Sequence, residues 1–232
     1  MAGETSKAEA ICLDIRPWSR TSHVVTWLTR GGKVATLVKG AVRPKSAFLG
    51  QYDLNYTCEI VYYSRSRADL HALRECSPMD IREGLRGDYR AMSAAGYFRG
   101  LACDFAPSGP DCGAWYEALA AALDRLCADP GGAATVGEVV RLELAVLGLL
   151  GLRPEVEAES GAFALRGERR IPVSAAVAAY LRDPTRPTEN VDVPLDAARV
   201  IGVFYQFHLD CASDVRRSVL RMISKTKQRQ ER

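Results

Sequence analysis

The 232-residue chain is 47% hydrophobic and 25% charged, with 31 lysines and arginines against 28 aspartates and glutamates. That is enough to bury one large core or two modest ones, in the composition of an ordinary globular protein. A net charge of only +3 excludes a globally basic protein, so any affinity for a polyanion has to come from where the cations sit.

Taken in order, the first 80 residues read as strands. Apolar residues alternate at Ile11, Leu13 and Ile15, then Val24, Thr26 and Leu28 alternate against Val25 and Trp27, and Val34 to Val38 follow. Arg30-Gly31-Gly32-Lys33 between the last two is a hairpin signal, two glycines where positive φ is needed. A regular alternation over Leu54 to Tyr63 and a last run from Leu70 to Glu75 complete five short strands, which fit a small antiparallel barrel or sandwich.

After Pro78 the pattern is helical. Tyr97, Leu101 and Phe105 are spaced by four; Pro107 to Pro110 interrupt; Trp115, Leu119, Leu123 and Leu126 form a second stripe. Thr135 and Glu138 have capping-box spacing at the head of a third helix, with Gly151 and Pro154 as its stop, and Val139 to Leu152 is apolar on nearly every side, as at the centre of a bundle. A short hairpin through Phe163–Leu165 and Arg170–Pro172 around Gly167 is expected next, then a helical turn or two over Ser174–Leu181 and a proline-rich loop to Pro194. An amphipathic helix follows over Leu195–Asp210, with Val200, Val203, Phe204 and Phe207 inward. Asp214 is set to cap a last helix with Val215, Val219 and Met222 inward, and a basic tail runs from Arg216 to Arg232.

The seven cysteines form no C-x-x-C pair and several lie in apolar periodic segments, the pattern of buried reduced thiols in a reducing compartment. The first ten residues lack a signal-peptide core and the longest apolar stretch is too short to span a bilayer, so a cytoplasmic protein without membrane contact is expected. His23, His71 and His208 have no partner at metal-ligand spacing, and no phosphate loop, dinucleotide fingerprint or nucleophile elbow occurs. A non-enzyme without cofactor or metal is therefore expected.

Residues 16–46 carry seven cations, Arg16, Arg20, Arg30, Lys33, Lys39, Arg43 and Lys45, uninterrupted by any carboxylate and interleaved with aromatic and β-branched residues. Such a stretch can form sheet and still present a positive surface to nucleic acid, with Trp18, Trp27 or Tyr52 available to stack on unpaired bases. Gly40 and Pro44 constrain the loop that holds Lys39, Arg43, Lys45 and Ser46. A solvated strand face and loop is the alternative, and it corresponds to a non-catalytic adaptor whose barrel is only structural.

The order A-I-C-L-D-I-R-P-W-S-R-T-S-H-V-V-T-W-L-T-R-G-G-K-V, then V-K-G-A-V-R-P-K-S, then I-V-Y-Y-S, resembles the RecO family of bacterial recombination and repair proteins. The segments G-L-L-G-L-R-P and D-V-R-R-S-V-L-R are similar in placement. The resemblance implies an α+β chain: a five-stranded OB-fold barrel (1–80), a helical domain (81–215) and a helix end with basic tail (216–232). It implies a mediator that binds single- and double-stranded DNA, anneals complementary strands and, with RecR, loads RecA onto DNA covered by single-strand-binding protein, at the nucleoid during repair. By position, the family's basic barrel surface falls on Arg16, Arg20, Lys33, Lys39, Arg43, Lys45 and Ser46. The acidic C-terminal tail of single-strand-binding protein would meet an apolar groove in the helical domain rimmed by Arg125, Arg141 and Arg221. Many members carry a four-cysteine zinc module that residues 152–180 lack, so the short insert near 153–173 is expected in its place, without zinc.

Overall fold

The computed structural model describes residues 4–64, 69–156, 162–164, 170–185, 188, 192–209 and 214–221. Two compact units are formed, Met1–Glu83 with Phe98–Leu123 and Gly84–Tyr97 with Asp124–Arg232.

In the first unit β1 (Glu4–Ser19), β2 (Ser22–Thr29), β3 (Gly32–Val38), β4 (Thr57–Ser64) and β5 (Leu70–Asp80) close a barrel in the order β1-β2-β3-β5-β4. Every ladder is antiparallel except β3 with β5, which runs parallel from Ala35↔Leu70 to Leu37↔Ala72. That connectivity is the OB fold. Long β1 makes closure possible, because its first half pairs with β4 and its second with β2. Ala10, Cys12, Val25, Trp27, Cys58 and Ile60 fill the interior at 0% exposure, where each large apolar side chain contributes about 1.5–3 kcal/mol by leaving water. The Trp27 indole donates to the Thr36 hydroxyl at 2.8 Å, so the one polar atom of that ring is satisfied inside the core.

Three strand boundaries differ from expectation. β1 starts at Glu4 rather than near Ile11 because Glu4–Ala10 pairs with β4 although its residues are polar or small. β4 starts at Thr57, not Leu54: Asn55 takes φ 70°, and the buried Arg82 guanidinium donates to the Asn55 carbonyl at 2.7 Å and the Thr57 hydroxyl at 2.9 Å. β5 runs past Glu75 to Asp80, with Pro78 opposite Cys58. At the β2–β3 turn only Gly32 needs positive φ (131°), and an added Cβ there would lie 2.8 Å from the Gly109 carbonyl oxygen.

The helices are α1 (Tyr89–Phe105), α2 (Gly113–Ala128), α3 (Gly132–Leu149), α4 (Ala175–Arg182), α5 (Asp192–Leu209) and α6 (214–221), with a two-stranded ladder of β6 (Ala162–Ala164) and β7 (Arg170–Pro172) between α3 and α4. Gly167, Leu165, Met222 and the tail beyond 221 lie outside the described residues. In the second unit α3 is the buried centre, with Val136, Val139, Val140, Leu144 and Leu147 enclosed.

The expected capping box is not formed. α3 starts a turn earlier, at Gly132, and the Thr135 hydroxyl donates back to the Gly131 carbonyl at 2.9 Å, while the Glu138 carboxylate faces two arginines. α5 starts at Asp192 with Pro194 in its first turn, where a missing N–H costs nothing. Val203, Phe207 and Val215 are exposed rather than inward, because the buried stripe of α5 runs through Ala197, Ala198, Ile201, Phe204 and Tyr205 and that of α6 through Arg216 and Val219. Arg216 thus belongs to the core and not to the basic tail. Among the described residues no helix is long and apolar enough to cross a membrane, and no cluster of three or more His, Cys, Asp or Glu is placed to hold a metal.

Candidate nucleic-acid interface

One end of the barrel gathers cations. β1 ends at Ser19 and β2 begins at Ser22, so Arg20 sits in the intervening turn; antiparallel pairing of His23 with Val38 brings the loop after β3 to the same end. Two hydrogen bonds tie loop to turn: Val42 N donates to the Thr21 carbonyl at 3.3 Å and Gly40 N to the Ser22 hydroxyl at 3.2 Å. Within the loop, Arg43 N donates to the Gly40 carbonyl and Ser46 N to the Arg43 carbonyl, which folds it into successive turns. Gly40, at φ 66°, lets the Arg43 side chain lie across the backbone. Arg20, Lys39, Arg43 and Lys45 are exposed and make no ion pair with a described residue. The Ser46 hydroxyl accepts from Phe48 N at 3.2 Å, so it shapes the loop as well as standing in it.

Arg16 and Lys33 form a separate group. They line a cleft of about 470 Å³ between the outer face of the barrel and Cys103 and Ser108, where His71 and the two carboxylates Asp14 and Asp69 also stand. Arg16 pairs with Asp14 at 2.6 Å yet stays largely exposed, and Lys33 donates to the Cys103 carbonyl at 2.6 Å. Arg30 leaves the set of available cations: it stacks 4.3 Å over the Tyr116 ring and pairs with Glu117 at 2.8 Å and Glu9 at 3.7 Å. Of the candidate stacking residues, Trp27 is enclosed and the Tyr52 hydroxyl bonds His23 Nδ1 at 2.9 Å beside the barrel core, whereas Trp18 is 64% exposed.

In the second unit Arg125 and Arg141 come together with Arg153, Arg182 and Leu144 around a cleft of about 530 Å³. The nearly buried Glu138 carboxylate holds Arg125 at 2.7 Å and also pairs with Arg141, whose Nε donates to the Pro184 carbonyl at 2.9 Å. Arg153 and Arg182 were not singled out in the sequence; they stand at the two ends of the α3–α4 segment, and no local pattern connects them. Arg221, on α6, does not line this cleft.

An OB barrel with cations gathered at one end and across its outer cleft defines the class of OB-fold nucleic-acid-binding proteins. Residues 1–82 match the model described as Recombination protein O N terminal, and residues 86–224 match Recombination protein O C terminal. The chain therefore belongs to the RecO family of DNA repair and recombination mediators. A DNA repair protein RecO from Anaeromyxobacter dehalogenans (strain 2CP-1 / ATCC BAA-258) is 28% identical over 201 residues, covering 86% of this chain and 78% of that protein.

Proposed function

We propose that the barrel end formed by Arg20, Lys39, Arg43, Lys45 and Ser46, with Arg16 and Lys33 along the outer cleft, holds single- and double-stranded DNA by its phosphates and anneals complementary strands. The observation that carries this reading is the convergence, on two loops tied to each other, of four exposed cations that have no carboxylate partner among the described residues. Phosphate contacts leave base edges free, so a second strand can pair while the cations offset the repulsion between two polyanions. The process is strand annealing by positioning, with no covalent bond of the protein or the DNA broken. In the same reading the arginine-lined cleft of the second unit receives the acidic, apolar C-terminal tail of single-strand-binding protein, since Arg153 and Arg182 offer charge beyond what Glu138 neutralises and Leu144 offers an apolar wall. With RecR, the protein would then help load RecA on the uncovered strand, in the bacterial cytoplasm.

The test is strand annealing and single-strand binding across a salt titration, with the Lys39→Ala/Arg43→Ala/Lys45→Ala variant beside the wild type. The variant is expected to bind more weakly and to lose about two to three units from the slope of log affinity against log salt, at ~0.7–0.9 per phosphate contact. Equal affinity and slope for the two proteins would remove the barrel end as the DNA site.

A further inference from the structure

Phosphate contacts alone do not distinguish an unpaired strand from a duplex, and β1 carries a feature that can. Pro17 pairs with His23 and Ser19 with Ser22, so β1 has one residue more than β2 across this interval, and that residue is Trp18. A bulge leaves its extra residue outside the ladder and re-aims its side chain. Here it turns a large aromatic ring to solvent at 64% exposure, whereas Trp27 and Trp115 are at 0% and 6%. A tryptophan left this exposed gains by covering its ring with a partner. It lies between Arg16 and Arg20 in sequence and next to the turn to which the Lys39–Ser46 loop is tied.

We propose that Trp18 is a stacking platform for unpaired nucleobases, and that it adds affinity for single strands, but not for duplex, to what the cationic barrel end supplies. The inference rests on the DNA reading of that end. Cations on either side would hold successive phosphates while one base leaves its neighbours to lie on the indole; in a duplex the same base is already stacked and paired, so the ring gains nothing from it.

The experiment measures binding of the full chain to an oligo(dT) strand and to a duplex of equal length at several salt concentrations. The proteins compared are wild type, Trp18→Ala, Trp18→Leu, Trp18→Phe and an Arg43→Ala/Lys45→Ala control. Stacking predicts that the Ala and Leu variants lose about 5- to 150-fold in oligo(dT) affinity, that Phe recovers most of it, and that duplex affinity stays within about twofold of wild type. The salt slope of all three Trp18 variants should equal the wild type's, because no cation is removed. Oligo(dT) should also quench the exposed part of the intrinsic fluorescence in the wild type and not in Trp18→Phe. Unchanged oligo(dT) affinity in the Ala and Leu variants, an equal fall on duplex, or Leu matching Phe would each overturn the inference. If the control alone weakens binding, stacking is wrong and the barrel-end site stands; if neither it nor the Trp18 variants change anything, the site itself is wrong.

Discussion

Glu143 is a fully buried carboxylate in the middle of α3. Arg216 meets it with two hydrogen bonds, Nε at 2.6 Å and Nη2 at 2.9 Å, and gives a third, from Nη2 to the Ala198 carbonyl at 2.6 Å. Tyr97 adds its hydroxyl at 2.6 Å, so the carboxylate is met by three donated bonds. The geometry is good enough to offset much of the desolvation, but either partner alone would be a stranded charge. Arg216→Met is expected to lower stability by ~3–5 kcal/mol, read as a shift of the urea midpoint, and adding Glu143→Leu should restore most of it; equal loss in the single and double variants would refute the pairing account. Half of this was legible beforehand. A glutamate inside the apolar run Val139–Leu152 demands a buried partner, yet the partner lies far along the chain among cations that look like a tail. Arg82, close to the exposed Arg86 in sequence, is hidden in the same way: its bonds to the carbonyl of Asn55 and the hydroxyl of Thr57, distant in the chain, reveal it as a core residue.

At the scale of elements, alternation was a good guide wherever one face of a strand is enclosed. It located β2, β3 and the middle of β1, and it failed at the start of β1, where hydrogen bonding to β4 rather than apolar burial keeps the strand in place. Thr135 and Glu138 illustrate a different failure, since a Thr-x-x-Glu spacing also occurs inside a helix, where the hydroxyl can return to a carbonyl one turn back. The candidate cations were legible as a run in sequence but not as two groups, because Lys33 and Lys39 stand at opposite ends of β3. The β2–β3 turn permits a sharp check. Gly32 combines φ 131° with a backbone approach to Ser108 and Gly109 that a methyl would enter at 2.8–3.0 Å. Gly32→Ala should cost ~1–3 kcal/mol or more and lower the melting temperature, whereas Gly31→Ala, at a position with room for a Cβ, should leave it nearly unchanged.

For the whole molecule the balance of +3 conceals an uneven distribution, and stability responds to pH through groups that charge says little about. Burial pushes the Cys12 thiol and the Tyr97 phenol well up from their ordinary values, with the Glu143 carboxylate adding to the second. Both therefore stay protonated in the folded chain after the unfolded chain has released its protons, near pH ~8.5 for a thiol and ~10 for a phenol. Above those values the unfolded state binds fewer protons, so stability falls as pH rises, by up to ~1.4 kcal/mol per pH unit for each group. The urea midpoint should be level from about pH 7 to 8, decline beyond, and decline more steeply past pH ~10; a level midpoint at high pH would contradict the burial of these two groups. The barrel's strand order has a further consequence on the scale of evolution. Because β3 is flanked by β5 and not by β4, residues 39–56 must travel around the barrel before β4 can begin, and this compulsory detour is the segment that carries Lys39, Arg43 and Lys45. Lengthening a loop costs only ~0.6 kcal/mol for each doubling, so descendants can redraw this surface by insertion while the ladders that close the barrel stay as they are.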